Sequence, residues 1–420
     1  MKFRLSFPFF ALIIAFLAHQ DAAAETPARS ATDKYRVVWT GDPTSEAVIA
    51  WNQVEGAPGT VFFGTKDQGR KPDQYSEKQE PDQVTEFDSM TNCFVRLTGL
   101  SADTTYFFCI RDEKGVSPRF YFTTAPDKPK AFTFAAGGDS RNFRDVRVSA
   151  NQIAAKLRPL FIAFTGDMIN KDNEIEWQEW LDDWQHTTSE DGRMTPLLPH
   201  RGNHESRPVS IPSLFDTPKD VYYAFDIGDK LLRYYVLNSQ IPAFGDQKKW
   251  LEKDLKKHGK NRTHLIAGYH KPMRPHVSAK SEGENPMHWA ETFYRHGLDL
   301  ALESDSHVMK RTLPLRPDPE GDEGFSAAPK DPKATVFIGE GCWGAPLRAA
   351  DDAKSWTIAT ESFNGIDWIE VSPKGIQVKT VRVENPSQVQ PVSSDNSFQN
   401  PKGLKLWKPK GGAVLNIAAD

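Results

Sequence analysis

From Phe132 onward the chain repeats one pattern: a short apolar run ends and the next few residues deliver Asp, Asn or His. Phe132-Thr133-Phe134-Ala135-Ala136 leads to Gly138-Asp139-Ser140-Arg141, and Leu160-Phe161-Ile162-Ala163-Phe164 leads to Gly166-Asp167-Met168-Ile169-Asn170. Pro196-Leu197-Leu198 leads to Gly202-Asn203-His204-Glu205. Leu265-Ile266-Ala267-Gly268 leads to Tyr269-His270-Lys271-Pro272, and Leu298-Asp299-Leu300-Ala301-Leu302 to Ser304-Asp305-Ser306-His307. Between the runs lie apolar residues at helical spacing: Val146, Ile153 and Leu157, then Trp177, Trp180, Leu181 and Trp184, then Trp250, Leu251 and Leu255, and a helix around Trp289. Strand–helix alternation of this kind predicts α/β layering. In such sheets ligands sit where strands end, which is where these polar residues fall.

Their chemistry points to metal. Asp139, Asp167 and Asp305 converging at one place would repel one another and drive at least one to protonate. A bound cation removes that cost, and oxygen and imidazole ligands without thiolate suit Fe, Mn, Zn or Mg. A carboxylate can bridge two such ions roughly 3.5–4 Å apart, the arrangement that serves in-line displacement at phosphorus. Asn203 and His204 place an amide beside an imidazole after a strand end, an unusual pair for a loop with nothing bound. Gly202 is expected there for a backbone conformation that other residues reach only at a cost.

Ahead of this region, residues 35–124 carry short alternating runs at 37–39, 47–51, 61–63, 94–97, 106–108 and 120–122, separated by turn residues. That spacing predicts a β-sandwich. The stretch 97–106 resembles the tyrosine corner of fibronectin type III domains, with Tyr106 as the tyrosine. The proline-bearing segment 125–130 is the expected linker. Residues 313–333 read as a long surface insert, 368–371 and 376–381 as a closing hairpin, and the segment from 385 as an irregular surface tail.

Lys2 and Arg4 precede an apolar run to about Ala18, and Ala22-Ala23-Ala24 supplies a small-residue cleavage site. This reads as a signal peptide cut after Ala24 rather than a retained anchor, so export to a secreted or periplasmic location is expected. No later stretch is long and apolar enough to span a bilayer. A net charge of −4 gives no footprint for nucleic acid. Cys93, Cys109 and Cys342 make a poor disulfide framework. Cys109 also has the opposite strand parity to the inward-facing Phe108 and Ile110, so a Cys93–Cys109 pair is not expected.

The ordered set Asp139, Gly166-Asp167, Gly202-Asn203-His204-Glu205, His270 and Asp305-Ser306-His307 resembles the calcineurin-like metallophosphoesterases, and among them the purple acid phosphatase-like proteins. The resemblance covers about 132–345, and the sandwich ahead of it resembles the amino-terminal domain of the same group. It implies a mixed β and α/β architecture: a fibronectin type III-like β-sandwich over 34–125, a metallophosphoesterase domain over 131–384 with a β-sandwich core flanked by helices, and a tail over 385–420. By resemblance, Asp139 and His307 hold one metal, Asp167 bridges, and Asn203 and His270 hold the second. His204 is the acid that faces the substrate, and a metal-bound hydroxide attacks phosphorus in line. Arg141 is no ligand of the family; it is read either as a phosphate contact or as a salt-bridge partner of a nearby carboxylate.

Two positions depart from the family. Asn170 stands where purple enzymes carry a tyrosine, so no tyrosinate–iron chromophore is expected and ferric iron is not implied. Asp305 stands where the family has a histidine. It either ligates the second ion, favouring Mn, Mg or Fe over Zn, or leaves that position weak with a single metal bound. The Trp177/Trp180/Trp184 stripe reads as core, Glu205 as a partner of His204 or of loop amides, and His276, His288 and His296 as surface residues. The segment 339–346 reads as a glycine-rich loop closing the site. The resulting expectation is a phosphomonoesterase acting on phosphate-ester substrates with two metal ions. The alternatives are a phosphodiesterase with the same core and a degenerate domain that only binds.

Overall fold

The computed structural model describes residues 1–2, 28–281, 284–393 and 397–419. The signal-peptide reading, residues 1–24, lies outside the described residues except for its first two.

Two sheets face each other through most of the molecule. The larger has ten strands in the order Val414–Ala418, Gly375–Arg382, Gly365–Ser372, Phe132–Gly137, Ile162–Phe164, Leu197–Pro199, Thr32–Val38, Ala47–Gln53, Met90–Leu97 and Gln83–Phe87. The second has seven: Tyr223–Ile227, Leu232–Val236, His264–Gly268, Leu300–Glu303, Val336–Gly339, Met309–Thr312 and Thr357–Glu361. Within each sheet the strands that carry the polar ends run parallel to one another. Their C-terminal ends therefore open on one rim. Phe134, Phe161 and Leu198 of the first sheet pack with Tyr234, Ile266, Leu302 and Ile338 of the second in one buried cluster. Helices cover the outer faces, Arg144–Leu157 and Glu174–Trp184 over the first sheet and Asp246–Asp254 and Ala290–His296 over the second. The tryptophan stripe is core: Trp177, Trp180 and Trp184 are each at most 2% exposed.

The amino-terminal sandwich pairs part of the large sheet with a four-stranded one, Glu77–Gln79, Thr60–Gly64, Thr105–Arg111 and Phe120–Thr123. Its tyrosine corner is present as the Ser101 N–H donating to Tyr106 Oη at 2.9 Å. The large sheet does not stop at the linker. Val38 pairs in parallel register with Leu197, so the two β regions share one sheet and one core. Arg207 braces them a second time: it binds Asp88 at the tip of an amino-terminal hairpin and Asp172 beside the polar rim, 2.5 and 2.6 Å away, and lies over the Phe87 ring. The three cysteines are buried and unpaired. Cys109 packs with Phe62 and Tyr75 in a small separate cluster, whereas Cys93 lies in the main core with Phe108 and Ile110.

Three expectations need correction. The carboxy-terminal segment is not an irregular tail: Val414–Ala418 adds an antiparallel edge strand to Gly375–Arg382, and Trp407 is buried. Val414-Leu415-Asn416-Ile417-Ala418 is apolar, but an isolated run of five residues does not by itself distinguish a strand from other structure. Within 313–333, Leu315–Asp322 and Phe325–Ala327 form a hairpin anchored by buried Phe325. His276 is not a surface residue; it is fully buried against Glu340, with Nδ1 3.0 Å from Oε1. His288 is exposed and His296 partly so.

Candidate metal centre

Each strand end supplies its residues to the same place. Asp139, Asp167, Asp305, His270 and His307 are all 2% exposed or less. Asp139, Asp167 and His307 offer three atoms close enough to hold one cation, and Asp167, His270 and Asp305 offer three for another. Asp167 belongs to both sets. Nε2 of His307 lies 3.2 Å from Asp139 Oδ1, and Nε2 of His270 lies 3.2 Å from Asp167 Oδ1 and 3.4 Å from Asp305 Oδ1. Asn203 Oδ1 lies 3.1 Å from the same His270 nitrogen.

Second partners aim the three imidazoles. Nδ1 of His270 donates to the Thr165 carbonyl at 2.9 Å, that of His307 to the Pro346 carbonyl at 2.6 Å, and that of His204 to the Asn170 carbonyl at 2.6 Å. Donation from Nδ1 leaves Nε2 as the atom turned to the carboxylates, the usual way a protein fixes the tautomer of a ligating histidine. Pro346 belongs to the glycine-rich segment, and the Ala345 N–H there donates to the Asp139 carbonyl at 2.8 Å. A Cβ on Gly341 would sit 1.7 Å from Asp139 Oδ2, so that loop lies directly over the carboxylate.

The backbone is held in a costly form here. Asp139, Asp167, Asp305 and His307 all have positive φ, between 56° and 72°. Each such residue costs roughly 1–3 kcal/mol and persists only where the surroundings over-determine it. Gly202 is required for a different reason from the one its sequence suggests. Its φ is not positive; a Cβ there would meet Asp167 Oδ1 at 2.2 Å and the Asp167 nitrogen at 2.4 Å. The need is for close approach, not for a left-handed turn.

The electrostatics fit a cation. Oδ1 of Asp139 and Oδ2 of Asp167 are buried with no hydrogen-bond donor, a costly state for a carboxylate unless a positive charge faces it. Burial tends to raise Asp167 and Asp305, but His270 outweighs it in both, with His204 helping at Asp167 and Lys280 at Asp305. Both carboxyls are held below the usual range. Burial tends to lower His270, yet Asp167 and Asp305 hold it well above the ordinary imidazole value. Burial, with Asp167 second, pushes Glu205 up to about 7, although it accepts from the N–H groups of Asp167, Met168 and Gly202 at 2.6–3.0 Å. Glu205 thus braces loop amides and does not reach toward the cluster.

On the solvent side Asn203 is exposed and His204 partly exposed. Nε2 of His204 is 3.7 Å from Asp167 Oδ2. Arg141 also turns inward: its Nε is 3.5 Å from Asp167 Oδ2, and its other nitrogens lie 3.0 Å from Asn170 Oδ1 and 3.3 Å from His307 Nε2. All nine residues singled out in the sequence for the centre or its rim, Asn170 included, therefore meet here. Lys280 joins them unannounced, with Nζ 2.6 Å from Asp305 Oδ2. It follows no strand end and sits in a polar stretch, so the sequence carries no signal for it.

A fold with parallel strand ends converging on carboxylates and imidazoles is that of a metallophosphoesterase, and the comparisons agree. Residues 134–309 match the calcineurin-like phosphoesterase family, so this part of the chain is a calcineurin-like phosphoesterase domain. Within that class the chain is purple acid phosphatase-like: residues 32–124 match the purple acid phosphatase N-terminal domain. Among solved structures, the purple acid phosphatase PPD1 from yellow lupin (Lupinus luteus) seeds aligns at 14% identity with a TM-score of 0.67, over 84% of this chain and 72% of that one. A structure of PhoD aligns at 11% identity with a TM-score of 0.62, over 93% of each chain. At these identities the likeness is one of fold. A comparison with curated protein sequences finds no match. Among the described residues no helix is long and apolar enough to cross a membrane.

Proposed function

We propose that this chain is an exported phosphomonoesterase working with two metal ions. The observation that carries the reading is the sharing of Asp167 by the two potential ligand sets. Asp139 and His307 would hold one ion and Asn203, His270 and Asp305 the other, with Asp167 available to both. When bound, the ions supply Lewis-acid charge for the phosphoryl oxygens and lower the pKa of a water nucleophile. The donor set, three carboxylates, an amide and two imidazoles, suits Mn, Mg, Fe or Zn, with the extra anionic ligand Asp305 weighting the choice away from Zn.

The remaining roles belong to groups on the open side. His204 is oriented by its Nδ1 donation to Asn170 and gives a proton from Nε2 to the leaving oxygen. Arg141 is kept beside Asn170 and His307 and contacts a phosphate oxygen with its guanidinium. Asn170, in place of the tyrosine of purple enzymes, leaves iron without a tyrosinate partner. The division proposed is a leader to residue 24, a sandwich over 34–125, a catalytic domain over 131–384 and a carboxy-terminal segment from 385; the leader reading supports export.

The test is turnover of a generic monoester and a generic diester by protein loaded in turn with Mn, Mg, Zn and Fe. Monoester turnover well above diester turnover is expected. Diester turnover alone would give the phosphodiesterase reading instead. Absence of bound metal and of all activity would leave a binding protein.

A further inference from the structure

The second ligand set differs from a histidine-built one by a whole charge. Asp305 adds an anion to Asp167, and the two share His270 and Asn203. Asp305 divides its oxygens. Oδ1 faces His270 at 3.4 Å, on the side where the set converges, and Oδ2 receives the Lys280 ammonium at 2.6 Å. Both side chains are nearly enclosed, Asp305 at 3% and Lys280 at 13% exposure. Screening by solvent and salt is therefore weak. A third cationic group lies close: Arg348 donates to the Asp305 backbone carbonyl at 2.7 Å.

Lys280 is brought there by a pinned loop. Its N–H donates to the Val277 carbonyl at 2.9 Å, and Ser278 is tied to Asp351 through both its N–H and its hydroxyl at 2.8 Å. Two residues before Ser278, His276 is locked on buried Glu340 through its ring and its N–H. The ammonium is thus presented by a turn closed by the Lys280 N–H and tied down ahead of it at His276 and Ser278.

We propose that Lys280 is the charge counterpart of Asp305 in the second metal position: it occupies Oδ2, leaves Oδ1 for the ion, and offsets the anion that Asp305 introduces, so that this position binds its cation less tightly than it would without the ammonium. The inference rests on the two-ion reading of the centre, not on the identity of the ester. A unit positive charge within several ångströms of a divalent cation in a buried site opposes binding strongly. Removing it strengthens binding by about tenfold or more.

The experiment is titration of Mn²⁺ into metal-stripped wild type, Lys280→Met and Lys280→Arg, followed by calorimetry, with circular dichroism to check folding. Two ions are expected in each. Lys280→Met should bind the weaker ion about tenfold or more tightly, and Lys280→Arg, which keeps the charge, should stay near wild type. One ion in wild type and two in Lys280→Met would also support the proposal. Folded Lys280→Met that binds no more tightly than wild type, or Lys280→Arg that behaves like Lys280→Met, would overturn it. Two-ion binding by a wild type that turns over no ester would sink the proposed reaction and leave the Lys280 assignment standing.

Discussion

His204 donates from Nδ1 to the backbone carbonyl of Asn170 at 2.6 Å, while its Nε2 stands 3.7 Å from Asp167. The Asn170 carbonyl thus orients the proposed acid while its side chain holds Arg141. If His204 delivers the leaving-group proton, His204→Ala should lower kcat by roughly 10²–10⁴-fold with unchanged metal content. The loss should shrink for esters with good leaving groups. Equal losses for good and poor leaving groups would remove His204 from that role.

Arg141 has a buried Nε with no hydrogen-bond acceptor. Its nearest carboxylate oxygen, Asp167 Oδ2, stands 3.5 Å away, and in the proposed reaction a phosphate oxygen would complete its contacts. Arg141→Met should raise KM on the order of tenfold or more, as for loss of a charge-assisted contact worth roughly 1.5–3 kcal/mol. Metal quantification on the same sample separates this from damage to Asp167.

Metal content tests the ligand sets directly. Asp305→Ala should lose the second ion and keep the first, and Asp167→Asn should weaken both because Asp167 is shared. Equal metal in wild type and Asp305→Ala would show that Asp305 is no ligand. Loading with iron should give no tyrosinate charge-transfer band, read in the visible spectrum.

Lys310 lies fully buried between Glu303 and Glu340, 2.5 and 2.6 Å from them. Glu303 also accepts from Tyr269 and from the Met273 N–H. Lys310→Met leaves two carboxylates in a dry interior, and breaking a buried pair this way costs about 3–5 kcal/mol. Chemical unfolding of the variant should show that loss; a change under 1 kcal/mol would mean the network is slack.

His200 gives the expected pH dependence. Burial lowers its folded value from 6.5 to about 4, with Nδ1 donating to the Phe164 carbonyl at 3.0 Å. The unfolded chain then binds a proton that the native state refuses between those values. The contribution is fully present above about pH 6.5 and is lost as pH falls through 4, on the order of 3 kcal/mol. Urea unfolding in chelator at pH 7.5 and 4.5 should show a shallower loss for His200→Gln than for wild type. Parallel losses would discard the assignment.

The order Asp139, Asp167, Asn203, His204, His270, Asp305, His307 was readable because strand ends in parallel sheets fall on one rim, and an apolar run marks each strand. The tyrosine corner and the tryptophan stripe were readable for the same local reason. Arg141 was ambiguous in sequence, since an arginine beside an aspartate pairs with a carboxylate as easily as with a phosphate. The strand at 414–418 and the burial of His276 were hidden, because pairing at a sheet edge and burial against Glu340 depend on residues far away in the chain.

By itself, then, the sequence determined the class of fold and the chemical kind of each ligand, since periodicity and residue type are local properties. The tertiary structure alone decided which oxygen and which nitrogen face inward, that Gly202 must yield space to Asp167, and that Lys280 meets Asp305. Those are matters of ångström-scale approach between segments distant in the chain, and packing of two sheets against each other sets them.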